Sequence, residues 1–259
     1  MTGPSVAPLP RERRHTLYFL DEVRAFAPVF LDTEVEMTGP AAHRESADRR
    51  YSTVTYAVHT AARVLARHPD ANAALRGRTR PRIARPPGVH AKITLDKTLN
   101  GRRVVLSAVL RDADKAGLEE LQRQVERYRD GDPDVMEEFA GLRTLHRLPV
   151  PLGRAAFRRV VRPLRGRADR FGTFAVTSLG HRPVDGFHSV GGTTVTLGLG
   201  RVVDRPVARS GRVVVAPTMR LSLAFDHRVI DGAEAADVLA EIKEGLESFK
   251  EPPGDGDPR

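Results

Sequence analysis

The chain contains no cysteine and no tryptophan, and aromatic side chains make up only 5% of its 259 residues. The lack of cysteine removes disulfides, thiolate metal sites and a cysteine nucleophile together. The scarcity of aromatics and the absence of any recognised nucleic-acid-binding motif argue against a nucleic-acid partner. No run of about 18 apolar residues occurs, so no membrane-spanning helix is expected. Residues 1–14 are proline-rich and then basic, with no apolar signal-peptide core. A cytoplasmic protein is the simplest reading. Neither a phosphate-binding glycine loop nor a dinucleotide fingerprint nor a metal-ligand cluster is present, so no metal or redox cofactor is expected.

Acidic residues are scarce in one place. Between Arg143 and Arg170 there are nine arginines and a single acid, Asp169, so this window carries nearly all of the +9 formal charge. Within it Ala156, Phe157, Val160, Val161 and Leu164 form an apolar stripe at helical spacing, flanked by Arg154, Arg158, Arg159, Arg162 and Arg165. A basic amphipathic helix of this kind is either a solvated element packed on the domain or a contact for an acidic partner, a phosphate group or a lipid surface.

Hydrophobic residues amount to 40% and recur along most of the chain, which predicts a packed core. Val29 to Met37 alternates as a strand does. Ser52 is placed to cap a helix that runs to about Arg67, where His68-Pro69 ends it. Strands are expected at 89–95, 104–110, 172–178, 193–199, 213–216 and 219–225, and a helix is marked by Leu118, Leu121, Val125 and Tyr128. The pattern predicts one α/β domain on a mixed sheet spanning 13–250, between a flexible tail at 1–12 and a disordered polar tail at 251–259.

The densest chemistry lies at Phe225-Asp226-His227-Arg228-Val229-Ile230-Asp231-Gly232. A histidine and an aspartate stand four residues apart where an alternating strand gives way to a helix with Ala235, Val238, Leu239, Ile242 and Leu246 on one stripe. Imidazole is the side chain best matched to proton transfer near neutral pH. Asp231 has two readings, contact with substrate or an ion pair with an arginine that holds the loop. Gly232 most simply lets the chain turn closely into the helix.

The segment Leu221–Ala233 resembles the active-site motif of the acyltransferase component of 2-oxoacid dehydrogenase complexes. Gly172–Gly180 is similar to the strand of that family bearing a hydroxyl residue that faces the catalytic histidine, and Thr177 falls on that position, 50 residues before His227. The family usually has serine there. Arg67–Leu75 is a weaker match to the end of an early family helix. The resemblance runs from about residue 13 to 250 and implies a chloramphenicol-acetyltransferase-like two-layer sandwich, a large mixed β-sheet with packed helices. It implies that His227 is the general base, that Thr177 stabilises the oxyanion, and that Asp231 holds the loop, with Arg14 as its candidate partner. Asp226, Arg228 and Gly232 would support the site.

The resemblance further implies a homotrimer with active sites at subunit interfaces, so that His227 and Thr177 meet across a boundary. Coenzyme A thioester is the expected co-substrate, with nothing bound tightly. No lipoyl lysine is expected, since Lys115 in Asp114-Lys115-Ala116 directly precedes a helix; an acyl carrier protein or a lipoyl domain would act in trans. The polar segment after Phe249 is poorly suited to joining trimers into a large core. The loop after Gly180 departs from the family's, leaving Ser178, His181 and His188 as candidate substrate contacts. The first reading is a stand-alone acyltransferase. The alternatives are the catalytic core of a conventional dihydrolipoamide acyltransferase and a non-catalytic trimeric scaffold.

Overall fold

The computed structural model describes residues 4–77 and 79–250, so the tail at 251–259 lies outside the described residues. Residues 4–10 are irregular, and the chain is helical from Arg11. In order follow α1 (Arg14–Val23), β1 (Pro28–Glu36), α2 (Thr38–Ser46), α3 (Thr53–Arg67), the short β2 (Ala74–Arg76) and β3 (Arg82–Ala84), β4 (Ala91–Leu99), β5 (Arg102–Leu110) and α4 (Leu118–Asp130). Then come α5 (Ala140–Arg147), α6 (Val150–Val161), α7 (Arg167–Phe171), β6 (Phe174–Ser178), β7 (Val195–Arg209), β8 (Arg212–Asp226) and α8 (Gly232–Glu247). Among the described residues no helix is long and apolar enough to cross a membrane.

Six strands form one sheet in the order β1-β8-β7-β6-β4-β5. It is mixed because β6 runs parallel to both β4 and β7, while the other pairs are antiparallel. Strand alternation sorts its side chains into two unlike faces. Phe174, Val176, Leu197, Leu199, Leu221, Leu223 and Phe225 belong to the core with α3 and α8. Full burial of each large apolar side chain contributes about 2 kcal/mol. The opposite face is built from small residues, Ala175, Thr196, Gly198, Gly200, Ser222 and Ala224. With α3, α4 and α8 packed on one face of the large mixed sheet, the chain forms the expected α/β sandwich, while Phe19 of α1 and Phe171 of α7 meet Lys92 at the other face, beside β4.

Ser52 caps α3 as expected, its Oγ accepting from the Thr55 N–H at 3.2 Å. The strands expected at 213–216 and 219–225 are one strand, β8, which turns back on β7 through Ser210 (φ 49°) and Gly211 (φ 76°). Two successive positive φ values match the twist of a tight hairpin. The far end of this hairpin reaches beyond the rest of the sheet and exposes Val213 and Val215.

The basic window folds as α5, α6 and α7. The expected stripe holds only in part: Val161 is buried and Phe157 meets Tyr18, but Val160 is exposed and Leu164 lies past the helix end. The packed face of α6 instead begins at Gly153, where a Cβ would stand 2.6 Å from the Tyr18 hydroxyl. Glu22 of α1 completes the contact. Its buried carboxylate accepts from Arg158 at 3.1 Å and from Arg162 at 2.9 Å, with Arg76 at 3.4 Å. Burial alone would raise the Glu22 carboxyl, but Arg162, Arg76 and Arg158 outweigh it and hold it below its ordinary value.

Candidate active site

β8 ends at Asp226, and the chain then turns tightly into α8. The Asp226 N–H donates to Thr194 O and the His227 N–H to Ala27 O, both at 2.9 Å. The Val229 N–H donates back to Asp226 O at 2.9 Å. Phe225 before the turn and Ile230 within it are buried. His227 stands between these two anchors with 47% of its side chain exposed. Its ring lies 5.5 Å from that of Phe225. A fixed backbone with an accessible imidazole is what proton transfer to a bound molecule needs.

Asp231 is the N-cap residue of α8, and its Oδ1 lies 3.4 Å from His227 Nδ1. The expected pair with Arg14 does not form within one chain. Arg14 opens α1 and donates to the carbonyls of His146 and Leu148, at 3.4 and 3.0 Å, which ties it to the α5–α6 junction. The Asp231 carboxylate is 90% exposed. Gly232 is also not where a close approach occurs: a Cβ there would meet nothing within 4 Å, and its φ is not positive.

Asp226 is the buried acid of the motif. Its Oδ1 accepts from Arg228 Nε at 2.8 Å and from the Ala27 N–H at 3.3 Å, and its other oxygen accepts from Arg228 Nη2. The Arg228 guanidinium lies 5.0 Å from the Phe26 ring centre. Both residues flanking His227 are thus fastened to the segment between α1 and β1.

Thr177 lies near the end of β6 on the small-residue face, and its hydroxyl makes no hydrogen bond among the described residues. The neighbouring Ser178 Oγ accepts from the Gly180 N–H at 3.4 Å. Thr177 and His227 are not together in one chain. Register aligns Thr177 with Gly198 and Ser222, five residues before His227 on β8. At about 3.3 Å per residue, that is roughly 16 Å along the strands, with two strand spacings across as well.

Residues 180–192 cross the small-residue face. A Cβ at Gly200 would collide with Asp185 O, and one at Gly198 would lie 2.5 Å from Phe187 O. Ser222 Oγ donates to Phe187 O. His188 reaches the edge strand, with Nε2 3.7 Å from Asp32 Oδ2 and its ring against Phe30. His181 is exposed at the start of the loop, on the side of Asp96. The structure therefore separates the two, with His188 beside edge strand β1 and His181 towards β4.

The far end of this segment is held by residues that carried no sequence signal. Buried Lys92 donates to Gly191 O, and Arg167 Nη2 donates to Gly192 O at 2.8 Å. The Lys92 ammonium sits 3.7 Å from the Phe171 ring centre. Burial, with Arg167 adding to it, pushes Lys92 well below its ordinary value; burial likewise lowers Arg167 to about 9. Alternation in β4 does point Lys92 away from the core shared with α3 and α8, but only the fold brings it to Gly191.

The sequence model for the 2-oxoacid dehydrogenases acyltransferase family (catalytic domain) matches residues 169–252, the stretch that contains both Thr177 and His227. Over 225 residues the chain is 26% identical to the dihydrolipoyllysine-residue succinyltransferase component of the 2-oxoglutarate dehydrogenase complex of Haemophilus influenzae, covering 84% of this chain and 46% of that relative. The chain thus spans about half the length of the curated relatives it matches. A probable dihydrolipoamide acetyltransferase of Listeria monocytogenes shares the fold with a TM-score of 0.69 at 17% identity, over 95% of each chain. A chloramphenicol acetyltransferase superposes with a TM-score of 0.52 at 14% identity, over 92% of this chain and 96% of that one.

Proposed function

We propose that the chain is an acyltransferase of the 2-oxoacid dehydrogenase kind, whose catalytic-domain model matches residues 169–252, and that it moves an acyl group from a thioester to a thiol, hydroxyl or amine. The thioester is carried by coenzyme A or by a carrier arm in trans. The Asp231 carboxylate near Nδ1 favours the tautomer that leaves His227 Nε2 free to act as base. Nε2 takes the acceptor's proton as the acceptor attacks the thioester carbonyl. The oxyanion of the tetrahedral intermediate accepts a hydrogen bond from the unengaged Thr177 hydroxyl. Collapse breaks the carbon–sulfur bond, and the leaving thiolate recovers the proton from His227. No covalent acyl-enzyme is needed, because the acceptor is itself the nucleophile.

His227 and Thr177 stand roughly 16 Å apart along the strands and two strands apart across the sheet, so this chemistry requires a second copy of the chain to bring its Thr177 to this His227. A cytoplasmic homotrimer with sites between subunits supplies that arrangement. The observation that carries the reading is an exposed His227 held by buried neighbours within the segment that matches the family.

The test is thioester consumption, followed by mass spectrometry, across acyl-coenzyme A and carrier-bound donors with thiol, hydroxyl and amine acceptors, dihydrolipoamide among them. Replacing His227→Ala is expected to slow consumption by roughly 10²–10⁴-fold. Consumption no faster than that of the His227→Ala protein in every mixture would leave a scaffold as the reading. Activity with dihydrolipoamide alone would assign the core of a conventional dihydrolipoamide acyltransferase.

A further inference from the structure

The outer face of α6 has a composition that packing within the chain does not use. Gly153, Phe157 and Val161 face α1. On the row next to these, Leu152 (59% exposed), Ala156 and Val160 (51% exposed) follow at spacings of four residues and form one outward ridge. Beside the ridge lies a shallow, open surface formed by Arg158, Arg159, Arg162, Arg165 and Arg170, with no acid in its lining. Arg158 and Arg162 share Glu22, while Arg170 donates to the carbonyls of Val160 and Arg165. The exposed guanidiniums of Arg159 and Arg165 have no ion pair or hydrogen bond among the described residues.

We propose that the outer face of α6, with its ridge Leu152–Ala156–Val160 and the arginines beside it, docks on an anionic phospholipid surface. An apolar ridge flanked by arginines matches the boundary between acyl chains and headgroups. Its side chains enter the boundary while the guanidiniums meet phosphate oxygens. A soluble polyanion would use the arginines but leave Leu152 and Val160 in water. The face is rigidly presented, since Glu22 and Tyr18 hold α6 to α1. The same α1 leads directly into Phe26 and Ala27, which hold Arg228 and the His227 backbone. The docked face therefore lies on the support of the proposed active site.

The experiment is co-sedimentation of the whole protein with vesicles of phosphatidylcholine alone and of phosphatidylcholine with about one third phosphatidylglycerol, whose anionic headgroups supply a negative surface potential, over a salt series. Binding is expected only to the anionic vesicles and to weaken with salt. Each basic residue at an anionic surface contributes about a fivefold factor, so Arg159→Glu with Arg165→Glu should lower partitioning at least about 25-fold. Arg50→Glu with Arg111→Glu makes the same change of net charge away from α6 and should lower it far less. Leu152→Ser with Val160→Ser should weaken binding at unchanged charge. His227→Ala should bind as the parent does, which separates docking from transfer. Equal losses for the two charge-reversal pairs would overturn the proposal by making the attraction non-specific. It is equally overturned if the parent ignores vesicles yet binds inorganic tripolyphosphate through Arg159 and Arg165.

Discussion

His227 reaches outward because its neighbours are held inward, Phe225 and Ile230 in the core and Asp226 beneath Arg228. Asp226 is thus a positioning residue for the imidazole. Asp226→Asn keeps the size of the side chain but weakens both bonds to Arg228, bonds to charged groups that contribute on the order of 2 kcal/mol each at best. A misplacement of about 1 Å in a reacting group can slow a reaction 10²-fold. The variant is therefore expected to stay folded, with kcat reduced about 10- to 100-fold and KM little changed; a KM increase with kcat intact would assign Asp226 to substrate binding instead. At this scale the motif was legible, but the division of work inside it was not. Two carboxylates flank His227 in sequence, and nothing in their spacing says that Asp226 is buried while Asp231 is exposed at a helix N-terminus. Arg14 was similarly a partner by resemblance, whereas its place at the start of α1 gives it to the carbonyls of His146 and Leu148.

Among the elements, those with a regular apolar period were readable and those that depend on a distant partner were not. Ser52 and the stripe of α3 announce that helix by themselves. Ser210 and Gly211 do not announce a hairpin, because Arg209 and Arg212 on either side of the turn are polar and the apolar alternation that marks a strand breaks off before it. In α6 the periodic apolar residues include Val160, which faces solvent, since the packing surface is set by Glu22 and Tyr18 of α1 rather than by apolar spacing. The segment 180–192 is the element whose position matters most for substrate, and Gly198 and Gly200 make room for it. Gly200→Ala would drive a methyl into Asp185 O and lift the segment from β7. Overpacking of this kind typically destabilises by about 1–3 kcal/mol. The expected result is a lowered melting temperature and faster proteolytic cleavage within 180–192, with residues of the helical layer unchanged in hydrogen exchange. Cleavage at the parent rate would show that the segment is held only by Lys92, Arg167 and Ser222.

For the molecule as a whole, the decisive feature is the distance along β6, β7 and β8 between the proposed base and the proposed oxyanion donor. A sheet fixes that distance firmly, because sliding β8 by five residues would turn its core face outward. Under the proposed mechanism one chain would hold two half-sites, and complementation between inactive chains tests whether they combine. His227→Ala removes the base and keeps Thr177; Thr177→Ala does the reverse, with an expected loss of about 10²–10³-fold for one missing oxyanion donor. In an equimolar co-expressed mixture that assembles at random into closed trimers, each interface joins two chains independently. About one quarter of the interfaces would then pair an intact His227 with an intact Thr177. The mixture is expected to recover about a quarter of the parent rate, while each variant alone stays inactive. Because the two substitutions lie in separate chains, a mixture no more active than its components would mean that each chain builds its site unaided, by a movement that brings Thr177 and His227 together within one sheet.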